Sequence, residues 1–153
     1  NLSNININER RIPLLMTKYY EFDPVNGIAV PLARMRQDII LMKRCGINAV
    51  ICKSYPLSSD FLSLCDQYGI YVFALSDSRY MVDYTESAML HPCVVAWGFS
   101  DYKNNIDKCI KVKEECLKLD SSRPLYMAEV HKKESDFQIR YRQPRLGCPK
   151  ASP

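Results

Sequence analysis

Between positions 12 and 129 the sequence alternates short, uniformly apolar runs with longer stretches whose apolar residues recur every three or four positions, with Gly and Pro at most of the joins. Short apolar runs without strict alternation are strands covered on both faces, and the periodic stretches are helices with one apolar face. Strands and helices in strict succession call for a parallel sheet, because parallel neighbours need a crossover long enough to hold a helix.

The first run, 12–17, follows a polar lead-in and is bounded by charge. It runs into Glu21-Phe22-Asp23-Pro24 and Asn26-Gly27, a turn-rich loop. Pro31 suits the opening of a helix, where a missing N–H costs nothing; Leu32, Met35, Ile39 and Met42 mark its apolar face, and Gly46 ends it. A strand over 48–53 leaves through Tyr55-Pro56, and Ser58 or Ser59 caps a helix through Phe61, Leu64, Cys65 and Tyr68 that stops at Gly69. Further strands are expected over 71–75, 94–99 and 125–129. Helices are expected over 82–89 and along Ile106, Cys109, Lys113, Cys116 and Leu119. About five strands and four helices fall short of a closed barrel, which takes eight of each and about 250 residues. The fold class expected is α/β, a partial (half) TIM-type β/α barrel with parallel strands and helical crossovers.

With 153 residues, 47% hydrophobic and 25% charged, the chain can bury one ordinary core. No apolar run approaches the roughly 20 residues of a membrane span, and the first residues carry no signal-peptide pattern, so neither secretion nor membrane association is expected. Seven cysteines are an odd number and sit mostly in apolar periodic segments, which favours buried free thiols and a reducing, cytoplasmic setting. There is no C-x-x-C pair and only His91 and His131 could add imidazole, so no metal or other cofactor is expected. The net charge of +4 resides in residues 132–153, which hold six basic and two acidic side chains. The chain therefore divides into 1–131, the barrel portion, and 132–153, a basic, Pro-containing tail. In the tail Phe137, Ile139 and Tyr141 alternate with Gln138, Arg140 and Arg142, as one further strand would. Basic residues among aromatics can bind phosphates, but a solvated tail is the simpler account, since nothing here reads bases.

Specific stretches carry a resemblance. Glu21-Phe22-Asp23-Pro24, Asn26-Gly27, Ala29-Val30 and the run from Met35 through Lys43 are followed by Ile47-Asn48-Ala49-Val50, Tyr55-Pro56, Leu64-Cys65-Asp66, Tyr68-Gly69 and Tyr71-Val72. His91-Pro92 with Val94, Val95 and Trp97, then Leu119-Asp120 and Arg123-Pro124, continue the series. From about Asn6 to Glu129, in order and spacing, these are similar to the first half of the β-galactosidase-type barrel of glycoside hydrolase family 2. The resemblance implies that chemistry belongs at the C-terminal strand ends, and there the chain departs from the family. Lys18, Tyr19 and Tyr20 replace an Asn-Arg-His run; Ile51 replaces an Arg, and Lys53 and Ser54 a Ser-His pair; Ala74-Leu75 replaces Asp-Glu. Trp97-Gly98-Phe99-Ser100-Asp101-Tyr102 stands for Trp-Ser-Leu-Gly-Asn-Glu, so Tyr102 holds the acid/base position. The family's nucleophilic Glu belongs to a later strand than those read here.

Glycoside hydrolysis normally uses two carboxyl groups. Asp101 and Glu129 are the strand-end pair that can be named, although a loop cap and a solvated strand end account for them as well. Trp97, Tyr102 and Tyr55 are the candidate sugar contacts, with a core role the simpler account of a lone Trp. Cys52 beside Lys53 could be an activated thiol but lacks a positioned base, and His91 reads as a structural, hydrogen-bonded imidazole. The leading expectation is a barrel fragment inactive by itself, a pseudoenzyme acting as an interaction or structural module. It would be covered by a second copy or by a chain supplying the missing half barrel. Alternatives are a glycosidase completed by a partner chain or by the rest of a longer protein, and a carbohydrate-binding or nucleic-acid-binding module.

Overall fold

The computed structural model describes residues 4–52 and 55–127. Seven strands and four helices follow in the order β1 (Asn4–Ile7), β2 (Arg10–Pro13), β3 (Met16–Lys18), α1 (Leu32–Arg44), β4 (Ala49–Cys52), α2 (Ser59–Tyr68), β5 (Tyr71–Ser76), α3 (Met81–Ala88), β6 (Val94–Phe99), α4 (Ile106–Leu119) and β7 (Leu125–Met127). Strands β3 to β7 form one sheet in sequence order, every pair parallel, with one helix after each of β3 to β6. The expected β/α succession is what the chain builds.

The polar lead-in, for which no element was expected, carries one: β1 and β2 form an antiparallel hairpin whose turn residues Asn8 and Glu9 both have positive φ (48° and 64°), the backbone a two-residue turn of this hand requires. The run 12–17 is also divided. Pro13 ends β2, and the Asn48 side chain bridges the break, accepting from Leu15 N (2.9 Å) and donating from Nδ2 to Pro13 O (2.7 Å). Helix ends follow local chemistry: Ser58 Oγ accepts from Phe61 N at the start of α2, and Gly69, at φ 67°, ends it in the left-handed conformation that glycine adopts without a Cβ clash.

Alternation along the strands splits the interior in two. Val50, Cys52, Val72, Ala74, Trp97 and Phe99 pack on the buried faces of the helices. Met16, Ala49, Ile51, Phe73, Leu75, Ala96 and Tyr126 form a second cluster on the opposite face. An open half barrel leads one to expect exposed side chains there, but all seven are buried. They pack on one another, and the Tyr126 ring lies across Gly98, where a Cβ would come within 2.9 Å of the ring and 3.1 Å of the Tyr126 carbonyl oxygen.

Five cysteines, at 52, 65, 93, 109 and 116, are buried free thiols as expected. Cys45, at the C-cap of α1, departs from that expectation and is disulfide-bonded. Among the described residues no helix is long and apolar enough to cross a membrane. The close approach at Gly98 gives a direct test. Gly98→Ala is expected to lower stability by about 1–3 kcal/mol through overpacking, measured by urea denaturation, whereas Ala96→Gly in the same strand leaves Tyr126 in place.

Candidate functional site

The C-terminal strand ends are occupied by residues bound to one another. At the end of β3, Lys18 and Tyr20 are exposed while Tyr19 turns inward. Its ring stacks on Phe61 at 4.1 Å and 7°, and its hydroxyl donates to Asp38 Oδ2 (3.5 Å). Burial, followed by the nearby charge of Asp38, pushes the Tyr19 hydroxyl pKa up, so it stays a proton donor. The Glu21 carboxylate accepts from Ser58 N (3.0 and 3.1 Å) and Ser58 Oγ (2.6 Å), so the loop after β3 is tied to the start of α2. At the end of β4 the Cys52 thiol donates to the Tyr55 carbonyl (3.1 Å), and the Tyr55 ring is 70% exposed.

A reciprocal pair of contacts joins the ends of β5 and β6. Ser78 donates to Asp101 from both N and Oγ (2.8 Å each), and Ser100 Oγ donates to Asp77 Oδ1 (2.5 Å). Asn105 Nδ2 adds a further bond to Asp101 (3.1 Å). Burial raises the Asp101 pKa, but the bonds from Ser78 and Asn105 outweigh it and leave the carboxyl below its ordinary range. A carboxylate so held is an acceptor, not a proton donor. Sequence reasoning named Asp101 and missed Asp77, Ser78 and Ser100; the signal was the Ser-Asp dipeptide at both strand ends, Ser76-Asp77 and Ser100-Asp101.

Tyr102 opens a 3-10 turn, Tyr102–Asn104, and its side chain is 5% exposed, packed within the helix-side core. Glu129 lies outside the described residues. Trp97 is a core residue with no exposed surface, which leaves no face for a sugar. Its Nε1 donates to Asp120 Oδ2 (2.9 Å) and Tyr84 meets it edge-on at 6.0 Å. Asp120 also accepts from Arg123 Nη1 (2.6 Å) and from Ser122 N and Oγ (2.9 and 2.6 Å). Arg123 continues to the carbonyls of Val94 (2.7 Å) and His91 (3.3 Å). His91 is structural, its Nδ1 2.7 Å from Asp66 Oδ2, while Cys93 N donates to Asp66 Oδ1 (2.7 Å). Burial pushes the Cys109 thiol up to about 11, and it raises Cys65, Cys93 and Cys116 as well, so none of these is a thiolate near neutrality. Among the described residues no group of three or more His, Cys, Asp or Glu side chains could hold a metal ion.

Five parallel strands with helices on one face, and a row of strand ends at one rim, define this as part of a β/α barrel. Residues 1–82 match the family of glycosyl hydrolases family 2, TIM barrel domain. The chain belongs to that family. It is 27% identical over 144 residues to a β-galactosidase of Lactococcus lactis, covering 80% of this chain and 14% of that protein. Against a β-galactosidase of Oenococcus oeni it is 50% identical over 62 residues, 39% of this chain and 6% of that one. Among solved structures, a β-galacturonidase from Eisenbergiella tayi superposes with a TM-score of 0.74 at 24% identity, over 88% of this chain and 28% of that one. A β-glucuronidase from Parabacteroides merdae gives 0.70 at 21%, over 78% and 18%. The chain spans a seventh or less of the length of these β-galactosidases.

The Asp120 network predicts a pH dependence. Burial raises that carboxyl's pKa, but the bonds from Ser122, Arg123 and Trp97 outweigh it and hold it well below the ordinary carboxylate value. A depressed folded pKa contributes stability that is present above the unfolded value, about 4, and is lost as pH falls from there through the folded value. Denaturant midpoints are expected to fall as pH drops below about 4. Asp120→Asn, which leaves the Arg123 charge without its partner, should cost about 3 kcal/mol at pH 7 and flatten that slope.

Proposed function

We propose that this chain is a β-galactosidase-like family 2 barrel segment that does not hydrolyse glycosides by itself and acts as an interaction or structural module. The observation that carries this reading is Tyr102. A phenol stands at the position that matches the family's acid/base, and its side chain is buried in the core instead of facing the rim. Asp101 beside it is held as an acceptor by Ser78 and Asn105, so it has no proton to give at neutral pH. A retained scaffold supports the same reading, because the bonds of Asp66, Asp120 and Arg123 are all made inside it.

One fact favours a second reading, in which glycoside hydrolysis belongs to a larger assembly or a longer protein. The relatives named β-galactosidase are at least seven times as long as the segment they share with this chain. Other polypeptide would then supply the carboxylates, with Asp101 or Glu129 contributing.

The purified chain is expected to release no nitrophenol from nitrophenyl β-galactoside or β-glucuronide above a buffer blank. Tyr102→Glu is expected to leave it inactive, because the side chain at 102 is buried and the second carboxylate is missing. Turnover by the parent chain alone overturns the first reading. For the second, a completing chain should confer turnover that Asp101→Asn or Glu129→Gln reduces at least tenfold, an effect in the range of general acid–base catalysis of about 100- to 10,000-fold.

A further inference from the structure

The loop between β3 and α1 holds the one Asn-Gly step of the chain, Asn26-Gly27; every other asparagine precedes Leu, Ile, Glu, Ala or Asn. Glycine has no side chain to hinder its backbone nitrogen, so that nitrogen can reach the carbonyl carbon of the Asn side chain before it. Both residues lie in a turn organised by Asp23. Its Oδ1 accepts from Val25 N (2.9 Å), Asn26 N (2.8 Å) and Asn26 Nδ2 (3.1 Å). Its main chain exchanges two bonds with Gly27: Asp23 N donates to Gly27 O (2.7 Å) and Gly27 N to Asp23 O (2.8 Å). The bonds from Asn26 and Val25 hold the Asp23 carboxyl below its ordinary range, so it is an ionised acceptor at neutral pH. Asn26 is exposed, and a Cβ placed on Gly27 (φ 66°) would meet no atom within 4 Å apart from those of its chain neighbours. The step is open to water while Asp23 engages both of its reacting nitrogens.

We propose that Asn26 is a site of spontaneous deamidation and that the Asp23 turn is its brake. In the reaction the Gly27 nitrogen loses its proton and bonds to Asn26 Cγ, the Cγ–Nδ2 bond breaks, and Nδ2 leaves as ammonia from the cyclic imide that has closed. Water then opens the imide at either carbonyl and leaves aspartate or isoaspartate at position 26, so a water is consumed and an ammonia released. In the folded turn the Gly27 N–H is bonded to Asp23 O and Asn26 Nδ2 to Asp23 Oδ1. The nitrogen must give up that bond before it can attack, and the side chain must leave Asp23 to meet it, so reaction waits on local opening of the turn. Either product then hinders reclosure. Aspartate sets a second carboxylate where Nδ2 had donated to Asp23, and attraction becomes repulsion. Isoaspartate adds a carbon to the main chain between Asp23 and Gly27, and the two bonds of that pair lose their register. The change runs one way and loosens the loop that carries the exposed side chains of Phe22, Val25 and Ile28.

The test incubates the full chain at mildly alkaline pH and follows residue 26 by peptide mass mapping, which reads the replacement of the amide nitrogen by oxygen. Unfolded in guanidinium chloride, Asn26 should convert faster than any other asparagine of the chain. Folded, it should convert at least about tenfold more slowly than that, the factor expected from bonds to a charged acceptor. Asp23→Ala, with an unchanged far-UV spectrum, should recover most of this factor. Asp23→Asn, whose side-chain oxygen can accept from the same donors, should stay close to the parent rate. Asn26→Asp should speed hydrogen exchange at the Val25 and Gly27 amides. Equal rates in the folded and unfolded parent, no preference for Asn26 in the unfolded chain, an Asp23→Ala rate equal to the parent's, or unchanged exchange in Asn26→Asp overturn the proposal. If Asp23→Ala fails to fold, the parent's folded-to-unfolded ratio and the Asn26→Asp exchange decide. None of these readouts involves glycoside turnover, so the modification site and the inactivity are judged separately.

Discussion

The Asp120 carboxylate is the contact on which the sheet's later half depends. It receives the Trp97 indole from the middle of β6, the Arg123 guanidinium just before β7, and both donors of Ser122. Arg123 in turn binds the carbonyls of Val94 and His91, at the start of β6 and in the turn before it. One nearly buried ion pair thus fixes β6, the end of α4 and the entry to β7 relative to each other. Remove either charge and the other is left largely buried without its counter-charge, which is far worse than replacing both. Asp66 acts similarly one unit earlier, holding α2 to the His91 turn and to Cys93.

At the opposite rim polar chemistry is spent on the scaffold in the same way. In a barrel the strand ends are where side chains are free to meet a substrate. Here Glu21 fastens the first loop to Ser58, and Asp77 and Asp101 exchange bonds with Ser100 and Ser78. Tyr19 and Tyr102 turn inward to pack. These bonds stabilise the rim, and those from Ser78 and Asn105 lower the tendency of the Asp101 carboxylate to take up a proton.

Local order was legible because it has local causes. The 3.6-residue period of Met35, Ile39 and Met42, the Ser58 cap and the stop at Gly69 each act within a turn of chain, and each element appeared within a few residues of its expected place. The first hairpin was missed because its signal is weak: polar strands joined by Asn8-Glu9, with Glu an uncommon residue at positive φ. His91 as a structural imidazole was also legible, through its motif. The Ser78–Asp101 and Ser100–Asp77 exchange was not, since it joins residues 23 positions apart whose meeting depends on the register of β5 on β6.

By itself, then, the sequence determined the β/α succession and its family, because periodicity, caps and turn residues are properties of neighbouring positions, and it placed Trp97, Asp101 and Tyr102 at one strand end. Only the tertiary structure decided what the side chains at those ends do. Trp97 and Tyr102 go to the core and Asp101 to Ser78, because the direction a side chain takes is set by which strand lies beside its own and by which buried donor must be satisfied there.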